Sequence, residues 1–482
     1  MKIKLPKHKT KVVCTIGPAS QSEAVLKDLI KSGMNVARLN FSHGTIKEHR
    51  ENIRLIRSVA ARLNCDIAIL GDLPGPKIRI GKLQNEPVLL KKGDHIILTT
   101  KNIIGTASRI PVDFKKLPEC VSPGNLIYLN DGFIQLKVQE VVGDKVRCKI
   151  VVGGPLLSKK GLSLPGMKIS LDAVTTRDLD FIDFGLKENI DSLSVSFVEN
   201  ADDILKVKEF ARKRGKPIYV VAKIEREAAI RNIDSILEVA DAIMVARGDL
   251  GVDIPIENIP AVQKKLIYKA NLMSRPVITA TQMLESMTDN IRPTRAEVTD
   301  VANAILDGTD AVMLSEETTI GKYPVETVKM ITKIATAIER QRSSIQLSWS
   351  LRGFLREKVV RVKATVEDVI SLDVIEALRT LAVRLILTPT QSGSTPRRIS
   401  RFKPHCWILA FCNNERVHNF LSLSYGVHPV LMNNRQQISQ SEIMKCVKES
   451  GLAKRGDTVI LTEGVSFVRA GHTNSLRIVT LI

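Results

Sequence analysis

The sequence predicts an α/β chain built on a (β/α)₈ TIM barrel, with a small β-domain inserted into one barrel loop and a second α/β domain after the barrel. Three observations carry this. Eight short, β-branched apolar runs alternate with amphipathic helix-like stretches. A segment of different character separates the third run from the fourth, and the rhythm lapses after about residue 340 before a new set of βα units begins.

The first runs are KVVCTIG from Lys11, NVARLNF from Asn35 and DIAILGD from Asp66. They are almost continuously hydrophobic, as strands covered by helices on both faces must be. Between residues 74 and 166, stretches such as HIILTT, NLIYLNDG and IQLKVQEVV alternate apolar with polar residues and are broken by Gly, Asn and Pro. That pattern predicts a β-rich insertion. The barrel resumes with SLSVSFV from Ser192, PIYVVAKI from Pro217, AIMVARGD from Ala242, PVITATQ from Pro276 and AVMLSEE from Ala311. A basic, polar stretch (SSIQLSWSLRGFLREKVVRVK) leads into the last units. The expected divisions are 1–73 and 167–340 for the barrel, 74–166 for the insertion and 341–482 for the C-terminal domain.

Composition narrows the function classes. With 482 residues and 44% hydrophobic content, the chain can bury a large core. Its first residues, MKIKLPKHKTKVV, pass into a strand-like run without the apolar core or cleavage site of a secretory leader, and no stretch is long enough for a membrane span. Seven cysteines stand singly, with no CxxC pair, which argues against a disulfide framework or zinc site and fits a reducing cytoplasm. An excess of 71 Lys and Arg over 51 Asp and Glu gives +20, yet only 4% of residues are aromatic and no basic stripe is interleaved with them. Neither nucleic acid nor membrane is therefore an expected partner, and a basic surface around phosphate sites explains the charge.

In such a barrel the strand C-termini form the active-site face. Arg38, Asn40 and Ser42 end one run at alternate positions, as do Lys223 with Glu225 and Arg247 with Asp249, so each set is expected to project from one side of its strand. Asp72, Ser196, Thr281, Gln282 and Ser315 close the remaining runs. Any one of these alone reads best as a solvated strand end or a paired charge; seven runs ending this way do not. The residue types suit phosphoryl transfer, in which a protein positions reactants and neutralises charge. Glu225 and Asp249 suit Mg²⁺, which takes one or two protein oxygens and fills its octahedron with water and substrate. Arg38, Arg79 and Lys223 can hold a phosphoryl group and a developing oxyanion. None of the eight His forms an i, i+4 pair for a transition metal. The GDLG turn after Arg247 offers backbone N–H groups to a carboxylate or phosphate.

These motifs resemble the pyruvate kinase family. The likeness runs through KVVCTIGPAS, MNVARLNFSHG, LGDLPGPKIR, VAKIE, MVARGDLGVDIP, ATQMLESM, RPTRAEVTDVANAILDGTDAVML and GKYP, through NDG at 130 and SKKGLSLPG at 158, and through TQSGSTPRRIS at 390 and GHTNSLRI at 471. The resemblance implies transfer of the phosphoryl group of phosphoenolpyruvate to ADP, giving pyruvate and ATP, in the last step of glycolysis. It implies that the insertion is a β-barrel lid and that the C-terminal domain carries effector binding and the contacts of a homotetramer. By the same resemblance Glu225 and Asp249 ligate Mg²⁺, or Mn²⁺ in its place, Arg38 binds the substrate phosphate, and Lys223 stabilises phosphoryl and enolate charge. The backbone around Gly248 and Asp249, with the Thr281 hydroxyl, would hold the substrate carboxylate. Arg79 and Lys160 would reach the nucleotide phosphates, and Asn40, Ser42 and His43 would meet the nucleotide; His43 serves equally well as a cap of the helix after the second strand. The enolate's proton would arrive through water near Thr281 and Ser315.

Two departures matter. Potassium-requiring members of the family hold the cation with residues equivalent to Asn40, Ser42, Asp72 and Leu73 and carry Glu where this chain has Lys77. A lysine ammonium near Asn40, Ser42 and Asp72 would supply the charge that K⁺ brings, so the chain is expected to work without K⁺. Glu316 stands where the family more often has Gly, and is assigned no role. The TQSGST run suits phosphate and an ordinary helix cap equally; by resemblance it is a site for a phosphorylated effector, sugar phosphate or nucleotide, with Thr390, Ser392, Ser394 and Thr395 as contacts. Two other functions fit less well. The lid and Lys223 argue against a Mg²⁺-dependent barrel lyase, and a catalytically silent relative should have lost Lys223, Glu225 or Asp249, all of which are present.

Overall fold

The structure is a computed structural model that describes residues 3–167, 172–341, 353, 364–432, 438–464 and 473–482. The basic stretch beyond residue 342, apart from 353, lies outside the described residues, as do Gly471 and His472 of the last motif. Strands β1 (Lys11–Thr15), β2 (Val36–Asn40) and β3 (Ala68–Asp72) come first. The next eight belong to the insertion: β4 (Val88–Leu90), β5 (His95–Thr99), β6 (Arg109–Pro111), β7 (Leu126–Leu129), β8 (Ile134–Val142), β9 (Lys145–Val152), β10 (Gly154–Leu156) and β11 (Leu162–Ser163). After them come β12 (Ser192–Val195), β13 (Tyr219–Ile224), β14 (Ala242–Ala246), β15 (Val277–Ala280) and β16 (Ala311–Leu314). β1–β3 and β12–β16 close into an eight-stranded parallel barrel, each strand falling within one of the eight runs.

Alternation along these strands divides their side chains between two clusters. Val13, Val36, Leu70, Val221, Met244 and Met313 fill the barrel interior, whereas Val12, Cys14, Ile69, Ile243 and Val312 pack with the surrounding helices. The lower mouth is plugged from the C-terminal domain. Phe420 and Leu423 join the interior cluster, and the Phe420 ring stacks on Tyr219, at the start of β13, with centroids 4.0 Å apart. Only the strand C-termini are left to build a site. The return helices start from capping boxes, among them Thr45 with Glu48, Thr175 with Asp178 and Thr294 with Glu297. Thr45, not His43, therefore caps the helix Ile46–Arg62, and the capping alternative for His43 falls away.

The insertion has its own core, with Leu98, Ile110, Leu129, Leu136 and Ile150 among its buried residues, and a six-stranded sheet ordered β11–β7–β8–β9–β5–β6. Its edges are joined by two residues rather than by a strand. Arg79 bridges to Gly161 and Ile80 to Val112, with Ile80 N donating to Lys160 O at 3.0 Å and Gly81 N to Pro111 O at 2.8 Å. In the C-terminal domain β17 (Val383–Pro389), β18 (Trp407–Cys412), β19 (Val427–Leu431), β20 (Thr458–Glu463) and β21 (Ser475–Thr480) are ordered β19–β18–β17–β20–β21, with β21 antiparallel. This domain is bound to the barrel by Lys403, whose Nζ lies 2.7 Å from Asp310, both side chains almost fully buried. Ile3 packs into its core from the start of the chain. All seven cysteines are free. Among the described residues no helix is long and apolar enough to cross a membrane.

Candidate active site

Four charged residues are buried together at the ends of adjacent strands. Arg38 on β2 forms an ion pair with Asp72 on β3 through Nη2 and gives Nη1 to the Thr15 hydroxyl at 2.8 Å. Asp72 also accepts from Ser194 on β12 at 2.5 Å, and the Lys223 ammonium on β13 lies 3.3 Å from it. Lys223 reaches Glu225 at 3.0 Å and the Ser196 hydroxyl at 2.7 Å. Burial alone would raise the Asp72 carboxyl, but Arg38 and Lys223 outweigh it and hold it below the usual range. Burial works against a charged Lys223, and Asp72 with Glu225 overcomes it, so its ammonium is held above the usual lysine value. Two cations thus stand charged in a nearly dry setting, and the buried Nε of Arg38 has no partner, a donor left for an incoming anion.

Glu225 follows β13 and takes the Phe197 N–H on its second oxygen at 2.7 Å. Burial raises its carboxyl, Lys223 pulls it down, and the charge of Asp249 pushes it up again. Glu225 and Asp249 both line a cavity of 440 Å³ between the barrel mouth and the insertion, beside Lys77, Phe197, Leu162 and Met167. Among the described residues no group of three or more His, Cys, Asp or Glu forms a metal cluster. A pair of mutually repelling carboxylates with water-accessible space beside them fits Mg²⁺ and does not fit a fully protein-ligated ion.

Lys77 departs from expectation. Its Nζ lies 2.8 Å from Asp249 and 3.7 Å from Asp131, rather than on Asn40, Ser42 or Asp72. Asp72 is already neutralised by Arg38 and Lys223, which leaves Asp249 the stronger attraction. Asp249 and Asp131 outweigh the cost of burial and raise the Lys77 ammonium.

Gly248 N donates to the Thr281 hydroxyl at 2.9 Å, bringing together two of the expected carboxylate-binding groups. Thr281 and Gln282 take left-handed conformations, φ +68° and +52°, unfavourable for residues with a Cβ. Arg247 holds them there. It does not face the mouth with Asp249, because β14 ends at Ala246 and the strand alternation ends with it. Its guanidinium donates to Thr281 O at 2.6 Å and Asp300 at 2.7 Å. Ser42 likewise lies past its strand, with its N–H on Asn40 Oδ1 at 3.0 Å. Ser315 N donates to buried Glu317 at 2.7 Å, and Glu317 takes Leu284 N at 3.1 Å, so one carboxylate ties two strand-end loops.

Arg79 and Lys160 meet at the seam of the insertion, Arg79 giving Nη1 to Lys159 O at 3.0 Å. His43 lies at the surface with its ring partly enclosed, and that partial desolvation together with the charges of Arg79, Arg38 and Lys77 lowers its pKa. Glu316 is exposed. The TQSGST residues lie apart in the C-terminal domain. Thr390 Oγ accepts from Gly393 N at 2.9 Å, Ser394 accepts from Arg398 at 3.4 Å, Thr395 contacts the Thr473 hydroxyl, and Ser392 is exposed.

Sequence reasoning did not identify Thr15, Ser194, Phe197, Glu199 or Arg226. Ser194 was within reach, since it stands two residues before Ser196 on the same strand face. Arg226 forms an ion pair with Glu199 and lies over the Phe197 ring, 5.1 Å from its centroid. Phe197 has φ +55°, and this clamp fixes the backbone whose N–H meets Glu225.

A family model described as pyruvate kinase, barrel domain, matches residues 7–328, and one described as pyruvate kinase, alpha/beta domain, matches residues 368–479. The chain is 52% identical over 476 residues to a pyruvate kinase of Thermococcus litoralis, spanning 99% of both chains. It is 43% identical over 475 residues to pyruvate kinases of Staphylococcus epidermidis and Staphylococcus aureus, spanning 98% of this chain and 80% of theirs.

Proposed function

The chain belongs to the pyruvate kinase family, and we propose that it acts through the buried charges at its barrel mouth. It transfers the phosphoryl group of phosphoenolpyruvate to ADP, giving pyruvate and ATP, with a divalent metal, typically Mg²⁺. The observation that carries the residue roles is the Lys223 ammonium, kept charged between Asp72 and Glu225, of which Glu225 lines a 440 Å³ cavity.

In this reading Arg38 binds the substrate phosphate with its unpartnered Nε, while the Gly248–Asp249 backbone and the Thr281 hydroxyl turn from each other to the substrate carboxylate. Arg79, Lys160, Asn40, Ser42 and His43 hold the nucleotide. The bond between phosphorus and the enol oxygen breaks as the ADP terminal oxygen bonds to phosphorus, and Lys223 neutralises the enolate left behind. The enolate carbon then takes a proton through water near Thr281 and Ser315. Glu225 and Asp249 would hold Mg²⁺, or Mn²⁺, which supplies charge neutralisation on the phosphoryl oxygens. The working units are the barrel (1–73 and 167–340), a lid (74–166) and a regulatory domain (341–482), assembled as a cytoplasmic homotetramer.

ADP-dependent pyruvate formation from phosphoenolpyruvate and Mg²⁺ tests the activity; no pyruvate above an ADP-free control contradicts it. The lysine at position 77, where potassium-requiring relatives carry Glu, supports independence from K⁺ through the fixed positive charge it brings to the mouth, although its ammonium rests on Asp249, 2.8 Å away, and not on Asn40, Ser42 or Asp72. Rates in tetramethylammonium buffer are expected to be unchanged by added KCl, and a large rise on adding it refutes this reading. The gathering of Thr390, Ser392, Ser394 and Thr395 supports a phosphorylated effector, tested by titrating sugar phosphates and AMP at sub-saturating phosphoenolpyruvate.

A further inference from the structure

A narrow cleft separates the barrel from the C-terminal domain beneath the turn that enters β15. Arg275 and Asp310 line it from the barrel, and Arg397, Arg401 and Ser424 from the C-terminal domain; the Asp310 carboxylate is already met by Lys403 Nζ at 2.7 Å and by Tyr425 N at 2.9 Å. Its empty space is 160 Å³ including the part open to solvent, and nowhere is there room for a water molecule at its centre, so an occupant must push the arginine side chains apart as it enters and then be held between them.

The cleft is rich in unused donors. Arg397 Nη1, Arg401 Nε and Ser424 Oγ are buried with no hydrogen-bond partner, Ser424 being 1% exposed. Buried donors are rarely left so, and three around one space mark a missing acceptor. Arg401 is otherwise committed, giving Nη2 to Asp368 at 3.0 Å and Nη1 to the Ser274 hydroxyl at 3.0 Å. Arg275 and Arg397 have no such acid. Arg275 donates to the carbonyls of Leu237 and Glu238 at 3.0 Å, and Arg397 to that of Gly393 at 3.0 Å. Among the described residues neither has a carboxylate as hydrogen-bond or ion-pair partner. Asp241 is the acid whose charge acts on both, and it is taken by Lys208 at 2.8 Å and Val220 N at 2.9 Å. Burial and the facing charge of Arg275 lower the Arg397 guanidinium, as expected of like charges without a counter-ion.

We propose that this cleft binds a free inorganic oxyanion of the phosphate or sulfate type, bridging Arg275 of the barrel to Arg397 and Ser424 of the C-terminal domain. Two guanidinium forks match a doubly charged tetrahedral anion, and the hydroxyl completes its donors. The cleft is too narrow for a sugar or nucleotide attached to the phosphate. None of Thr390, Ser392, Ser394 or Thr395 lines it, so it is separate from the effector loop. The occupant binds only when both domains are in place and therefore stabilises their junction.

The test follows thermal unfolding of the full chain across a titration of inorganic phosphate, against chloride at equal ionic strength. Wild type is expected to gain stability with phosphate beyond the chloride control. In Arg397→Gln and Arg275→Gln the phosphate midpoint should rise ~10-fold as a charged hydrogen-bonding partner is lost. Ser424→Ala should shift it less, and Thr390→Ala should leave it in place. Equal responses in wild type and both arginine variants, or no response in wild type, overturn the proposal. If Arg397→Gln does not fold, Arg275→Gln and a selenate-soaked crystal decide: an anomalous peak between Arg275 and Arg397 is expected, and peaks only at the strand ends or near Thr390 contradict it.

Discussion

Lys223 shows how a single residue can be costly to bury and still keep its charge: Asp72, Glu225 and Ser196 all lie within 3.3 Å of its ammonium. The same reasoning reaches one residue further out, to Arg226. Its pairing with Glu199 and its position over the Phe197 ring fix the N–H that orients Glu225. Arg226→Gln is therefore expected to raise the half-saturating Mg²⁺ concentration by about tenfold, as loss of a supporting contact to a metal ligand typically does. Mg²⁺ titrations of the rate at saturating phosphoenolpyruvate check this; a changed KM for phosphoenolpyruvate with unchanged Mg²⁺ dependence counts against it.

At the scale of elements, the strand ends act through loops held in unfavourable conformations. Thr281 stays at φ +68° because Arg247 ties its carbonyl to Asp300 on the neighbouring helix. Arg247→Ala should let that loop relax, lowering kcat/KM for phosphoenolpyruvate by about 10–10²-fold through displacement of the Thr281 hydroxyl. Steady-state kinetics measure it, and an unchanged kcat/KM would show that the loop holds itself. Arg247 also marks where the sequence stops being legible. Eight apolar runs were enough to anticipate the barrel strands, and their polar ends named Arg38, Asp72 and Lys223, which the structure buries together. Spacing failed for Arg247, which lies one residue beyond β14 and turns its guanidinium to Thr281 O and Asp300, whereas Glu225, equally one residue beyond β13, still lines the cavity. Glu199 and Arg226 meet from different strand ends, and Lys77 turns to Asp249 from the far side of the insertion's hinge. Such pairings depend on tertiary contacts that no local pattern records.

For the whole molecule, the junction of the domains carries a pH dependence. His428 is largely enclosed, and that enclosure with the charge of Lys11 lowers its pKa to about 4. The unfolded chain binds that proton more readily, so the contribution of His428 is complete above pH 6.5 and lost as the pH falls toward 4. His418 runs the other way: despite burial, Asp66 and Asn419 raise its pKa, so its contribution is complete below 6.5 and lost as the pH rises through the raised value. His428→Gln should flatten the acid limb of the stability curve by roughly 3 kcal/mol. Urea unfolding of both proteins between pH 4.5 and 7 provides the comparison, and parallel curves would exclude His428 as the source. The junction also closes the lower end of the barrel with Phe420 and Leu423, leaving the strand C-termini, where Lys223 lies, as the open face. The most direct measurement is therefore ADP-dependent pyruvate formation by Lys223→Met beside the wild type, with folding checked by circular dichroism. A rate lower by about 10²–10³-fold in a folded protein is the predicted result, and equal rates would contradict the role given to Lys223.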